Sequence, residues 1–87
     1  TGIYAFPNPV REDFEGVVTI TRLVGSSSVK ITDISGNLVY ETKSLGGQAV
    51  WDLRNYRSQR VATGVYLVFC ANEDGTLAGV TKMLVIN

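Results

Sequence analysis

Turn signals set the scale of what this chain can build. Glycines at Gly16, Gly25, Gly36, Gly46, Gly64 and Gly75 cut it into intervals of 9, 11, 10, 18 and 11 residues. Punctuation every roughly 8–12 residues leaves room for short strands and marks a sandwich or a barrel. The double-length interval holds one further strand around Trp51 and a long loop. Val, Thr and Ile supply 25 of the 87 residues. These side chains are stiff at χ1 and suit a pleated surface. No stretch has the spacing of an amphipathic helix. Both prolines sit in Pro7-Asn8-Pro9, so every later residue can donate to a ladder.

The pattern predicts seven strands, over residues 3–6, 17–23, 29–34, 38–43, 48–52, 65–71 and 77–86. Val29-Lys30-Ile31-Thr32 alternates apolar with polar, as a strand with one wet face does. Asp33-Ile34-Ser35-Gly36-Asn37-Leu38 supplies hairpin chemistry between two strands. Val65-Tyr66-Leu67-Val68-Phe69-Cys70 is apolar on both parities, which suits a central strand covered on each side or one whose outer face meets a partner. In the last strand Gly79 marks an expected bulge. Lys82 keeps one parity of that strand wet alongside Leu84 and Ile86, and Met83 and Val85 take the other. The expectation is all-β: an antiparallel β-sandwich forming one domain over residues 1–87.

Composition removes several function classes. Eight Lys and Arg balance eight Asp and Glu, which argues against a nucleic-acid partner, since displacing counterions from phosphates needs a basic face. There is no histidine, so imidazole-based triads and pH switches are excluded. One cysteine rules out an intrachain disulfide framework and multi-cysteine metal sites. No apolar run approaches the ~18 residues that a spanning helix needs. The opening Thr1-Gly2-Ile3 carries no initiator methionine and no secretory leader. A piece of a longer protein is therefore expected, with any export signal outside it.

Few local clusters suggest chemistry. Glu12-Asp13-Phe14-Glu15 gathers three carboxylates but lacks the ligand count and spacing of a calcium loop, so a solvated loop with Phe14 turned inward is expected. Ser26-Ser27-Ser28 after Gly25 reads as a turn, since no base and orienting group accompany the hydroxyls. Cys70 lies on the most apolar strand and is expected to be buried and inert. Arg54, Arg57 and Arg60, with Tyr56 between them, form a lone basic cluster that suits an anion less well than a solvated loop. Trp51 is expected as a core anchor. No cofactor, metal site or catalytic residue is expected, and an enzyme is disfavoured.

Several motifs stand in a telling order: Pro7-Asn8-Pro9 after an aromatic residue, Val29-Lys30-Ile31-Thr32-Asp33-Ile34-Ser35-Gly36-Asn37-Leu38-Val39 as the strand–turn–strand centre, Trp51-Asp52, Gly64-Val65-Tyr66-Leu67, and the closing Lys82-Met83-Leu84-Val85-Ile86-Asn87. Over essentially its whole length the chain resembles the type A C-terminal sorting domain of the type IX secretion system, and in particular the uncleaved versions, such as that on the β-propeller partner of the sortase. The resemblance implies an Ig-like sandwich. Physical roles can be offered for its motifs. Pro7-Asn8-Pro9 should make a rigid, extended lead-in. Gly36-Asn37 tolerates the positive φ of a tight hairpin. Gly64 should let the chain turn into the strand of Tyr66, whose hydroxyl can tie back to nearby backbone. There is one departure: sequences of this kind read Trp-Asp-Gly-Arg-Asn, whereas Leu53 stands here in place of the glycine. The turn must then either change shape or hold a strained leucine.

What the resemblance implies is a signal that directs an attached protein through the periplasm to the outer-membrane surface or the medium. Its implied partners are the translocon and shuttle components, the surface sortase and an anionic lipopolysaccharide. Gly64, Tyr66, Lys82, Met83, Leu84, Val85, Ile86 and Asn87 are the candidate recognition residues, and Pro7, Asn8, Pro9, Asp33, Gly36, Trp51 and Asp52 the structural motif. A terminal strand apolar on both faces can serve its own core with one and offer the other, or a free edge, to a partner strand. The same edge suggests either a monomer or a strand-swapped dimer. The contrasting reading is an Ig-like accessory or adhesion module with no sorting role.

Overall fold

The computed structural model describes residues 2–23 and 25–86. Seven strands form two sheets. One has three strands in the order β1 (Tyr4–Phe6), β2 (Val18–Thr21) and β5 (Ala49–Trp51). The other has four, in the order β4 (Leu38–Lys43), β3 (Ser28–Asp33), β6 (Gly64–Ala71) and β7 (Leu77–Val85). Every pairing between strands is antiparallel. This is the all-β sandwich expected from the turn spacing.

Alternation decides what each sheet buries. In β2, Val18 and Ile20 are buried while Thr19 and Thr21 face away, because successive side chains point to opposite faces. Val29 and Ile31 of β3, Val68 and Cys70 of β6, and Met83 and Val85 of β7 meet them from the four-stranded sheet. Trp51 is buried between the sheets, with its ring edge against Tyr66 at a centroid separation of 5.8 Å. Its indole N–H donates to the Arg54 carbonyl at 2.9 Å. Loops add Val10, Leu23, Leu53 and Val61 to the core. Strand β6 lies between β3 and β7, and the outer parity of its two-sided apolar pattern, Val65, Leu67 and Phe69, is half-buried.

The strand ends depart from expectation for local reasons. The second strand stops at Thr21 because Arg22 adopts a left-handed φ of 68°. The fifth is trimmed to Ala49–Trp51: Gln48 instead exchanges hydrogen bonds with Leu45 across a turn, and the Asp52 carboxylate turns to accept from the Arg54 amide. At the expected bulge the register passes from Cys70↔Gly79 to Ala71↔Leu77, so the inserted residue is Ala78, beside the glycine. Of Gly36 and Asn37 only the glycine takes a positive φ, 91°. Asn37 works through hydrogen bonds to Asp33.

Two motif roles need correction, and a third position resolves between two alternatives. Pro7, Asn8 and Pro9 are not an extended lead-in; the chain bends at each of them after β1 has already paired with β2. The peptide bonds before both prolines are cis, and the Asn8 side chain makes the tertiary hydrogen bonds described below. Gly64 does not supply turning freedom. It is already paired with Val85, its φ is not positive, and an added Cβ would meet only Tyr66 Cε1 at 4.0 Å. At Leu53 the turn keeps its glycine-like conformation, with φ 66°, and the leucine side chain is wholly buried.

Candidate functional site

Lys82–Val85 of the closing motif lie on β7, an edge strand of the four-stranded sheet, and Ile86 follows it. Its odd residues Met83 and Val85 are sealed in the core, whereas Lys82 and Leu84 are exposed on the outer face and Ile86 is half-buried. The parity read from the sequence therefore divides the motif: Lys82 and Leu84 face solvent, and its inward members hold the strand in place. Asn87 lies outside the described residues. Lys82 stands opposite Leu67, and Leu84 opposite Val65, on neighbouring β6. Beside them Asn8, Ile34, Val65, Lys82, Met83 and Leu84 line an open groove of about 380 Å³. Ile34 in this groove is 68% exposed and Leu84 39%.

The free rim of β7 is partly occupied by the chain itself. The Asn8 side-chain amide donates to the Lys82 carbonyl at 3.1 Å and accepts from the Leu84 amide at 3.1 Å. Val10 continues this pairing: its N–H donates to the Leu84 carbonyl and its carbonyl accepts from the Ile86 N–H, each at 2.8 Å. Thus Pro7-Asn8-Pro9 straps the end of the chain to its beginning. Sequence spacing hides this contact, since the partners are separated by 74 and 76 positions.

Tyr66 and Asp33 shape the adjoining end of the sheet. The buried Tyr66 hydroxyl donates to the Ala62 carbonyl at 2.6 Å, the backbone tie suggested by its position. Burial, with a smaller contribution from the Asp33 carboxylate, raises its pKa, so it remains a neutral donor. Asp33 accepts from the amides of Ser35 and Asn37 and from the Asn37 side chain, each at 2.9 Å. These bonds to its charged form, the Asn37 side chain foremost, lower its pKa. Tyr66 faces inward and takes no part in the exposed surface around Leu84.

The other clusters do not converge on this surface. Arg54 donates to the Ser58 carbonyl at 2.8 Å and Arg60 to that of Phe14 at 3.4 Å, so both guanidinium groups tie loops together. Burial pushes the Cys70 thiol up to about 11, which keeps it protonated and unreactive at neutral pH. Phe14 packs against the core below the acidic loop. Among the described residues no group of three or more acids and cysteines is placed to hold a metal ion. Sequence reasoning missed Ser44, whose buried hydroxyl accepts from the Ser27 amide at 2.7 Å and donates to the Gly25 carbonyl at 2.5 Å. It also missed Val10, which has no periodic neighbours to reveal it, and it placed Ile34 at a strand end and in a hairpin rather than in an exposed groove.

Residues 4–87 match the model of the secretion system C-terminal sorting domain. The chain belongs to this family. Its function is that of a C-terminal sorting signal of type IX secretion, a system whose substrates are exported to the cell surface or secreted. Sorting-signal domains of this family are not catalytic. Among solved structures, the sorting domain is similar to part of PorZ, an essential bacterial surface component of the type IX secretion system of Porphyromonas gingivalis. The two share 37% identity and superpose with a TM-score of 0.87 over 99% of this chain, which spans only 12% of the PorZ chain. Comparison with curated protein sequences gives no match.

Proposed function

We propose that the type IX translocon, its shuttle components and the surface sortase recognise this sorting domain through the outer face of β7 and carry the attached protein from the periplasm to the outer-membrane surface. One observation carries the reading: Lys82 and Leu84 of the closing motif project from an edge strand beside an apolar groove, while Met83 and Val85 fix that strand in the core. An exposed apolar groove bordered by a cation suits an interaction surface better than a reaction centre. The domain itself then performs no catalysis, and any lipopolysaccharide attachment belongs to the sortase and its cargo.

Removing residues 82–87 from the intact protein is expected to trap cargo in the periplasm, but it also strips Met83 and Val85 from the core. Lys82→Glu and Leu84→Glu separate recognition from folding, because both side chains are exposed. Each is expected to leave the melting temperature near that of the parent and to shift cargo from the surface to the periplasm. A well-folded double variant delivered as efficiently as the parent would refute recognition through this face. Fusion to a foreign reporter tests the signal directly, since a passive Ig-like module would not redirect it.

A further inference from the structure

The hairpin between β6 and β7 carries the single Asp-Gly pair of the chain, Asp74-Gly75, and the sequence has no Asn-Gly pair. Residues 73–76 are exposed to water. Glycine has no side chain to shield its amide nitrogen or to restrict its backbone. In an unrestrained chain that nitrogen therefore reaches the side-chain carbon of a preceding aspartate with little hindrance. Here the turn commits both reacting groups elsewhere. The Gly75 N–H donates to the Asn72 carbonyl at 2.9 Å, and the Asn72 N–H donates to the Thr76 carbonyl at 2.8 Å. One oxygen of the Asp74 carboxylate, Oδ1, accepts from the Thr76 amide at 3.0 Å and from the Thr76 hydroxyl at 2.6 Å. That hydroxyl is anchored in turn, accepting from the Asn72 side-chain amide at 3.1 Å. The bonds from Thr76, its hydroxyl foremost, favour the carboxylate and lower the Asp74 pKa.

We propose that Asp74-Gly75 is an isoaspartate-forming site and that Thr76 keeps it closed in the folded domain. The reaction begins when the Gly75 nitrogen attacks Cγ of Asp74. A nitrogen–Cγ bond forms, and the carboxyl OH leaves with the amide hydrogen as water, giving a cyclic succinimide. Water then opens the ring. Cleavage of the new bond restores aspartate. Cleavage between the nitrogen and the main-chain carbonyl carbon of Asp74 instead leaves the chain running through Cβ and Cγ. Water is the only co-reactant, and the final mass equals that of the parent. Two features oppose the first step. A carboxylate is a poorer electrophile than the acid, because only the acid has an OH that can leave. The Asp74 side chain must also release both Thr76 donors before Cγ can turn toward Gly75, whose own N–H must leave Asn72. The Thr76 hydroxyl is common to these restraints: it binds Oδ1 and, through Asn72, braces the turn. Isoaspartate would place an extra backbone carbon inside the loop closed by Asn72 and Thr76, loosening the end of the hairpin that leads into β7.

Ageing of the full-length protein at physiological temperature, followed by peptide mapping that separates isoaspartate from aspartate by mass spectrometry, tests the proposal. Parent protein unfolded in guanidinium chloride is expected to accumulate isoaspartate at position 74 severalfold faster than folded parent. Thr76→Val keeps the backbone donor and the β-branched shape but removes the hydroxyl. When folded, it is expected to isomerise severalfold faster than the parent, whereas Thr76→Ser should keep the parental rate. Asp74→Ser has no carboxyl carbon to attack and should give no isoaspartate in the hairpin peptide. The comparison of folded with unfolded parent uses the unsubstituted chain, so it decides the matter even where Thr76→Val fails to fold. Equal rates in folded and unfolded parent, a folded Thr76→Val variant that isomerises no faster than the parent, a Thr76→Ser variant as fast as Thr76→Val, or a signal that persists in Asp74→Ser would each overturn the proposal. No sorting partner takes part, so recognition through β7 stands or falls separately.

Discussion

At the scale of single residues, Leu53 shows how a sequence departure can be absorbed. Its left-handed φ of 66° is a conformation that disfavours a branched side chain, yet that side chain is wholly buried. The strain costs about 1–2 kcal/mol, and a buried leucine contributes about 2–5 kcal/mol over alanine. Burial outweighs strain. Leu53→Gly should therefore destabilise the domain by about 1–3 kcal/mol despite relieving the backbone. Leu53→Ala should be worse, because alanine keeps the strain and still loses the packing. Denaturant titration of the two variants checks this reversal of the usual alanine-over-glycine order. The sequence posed the alternatives at this position but could not choose, since only the depth of the neighbouring core determines what burial contributes. Tyr66 was more legible. Loss of its 2.6 Å bond to Ala62 in Tyr66→Phe should cost about 0.5–1 kcal/mol in the same titration, near the low end because water can reach the exposed acceptor.

Turns and edges carry the argument at the scale of elements. The Asp33 turn follows its sequence closely, because its bonds join residues no more than four apart. The folded-state pKa of Asp33 is lowered, so its contribution to stability is present above the unfolded value near 3.8 and is lost as pH falls through the lower folded value. Melting temperatures measured between neutral and strongly acidic pH should show that loss below about pH 3.8 in the parent. Asp33→Asn should be less stable at neutral pH and lack this component of the acid dependence. The β7 edge is the opposite case. Its parity was readable, but the strap from Asn8 and Val10 was not, because no local pattern links positions so far apart. Asn8→Ala should destabilise the domain by about 1 kcal/mol or less, since water can replace exposed hydrogen bonds. Its clearer signature is local: amide exchange at Leu84 should accelerate while that at Met83, which faces β6, stays slow.

For the whole molecule, the core and the proposed recognition surface fall on alternate residues of one strand. Met83→Ala should cost about 2–5 kcal/mol through the cavity it leaves, whereas Leu84→Ala should change stability by no more than about 0.5 kcal/mol. Thermal melting paired with cargo localisation checks the separation: the first variant loses delivery through unfolding, the second while still folded. Glycine spacing, β-branched content and side-chain parity were enough to determine that this chain forms a seven-stranded sandwich and which members of its closing motif face the core. Those features are local, and a strand's period of two fixes its faces before any partner is met. The tertiary structure alone decided that the Pro-Asn-Pro segment straps the last strand, that Gly64 is an ordinary paired residue, and that part of the β7 rim stays open. Each of these depends on which distant backbone groups meet once the sheets pack, and hydrogen bonds between remote segments leave no periodic trace in the order of residues.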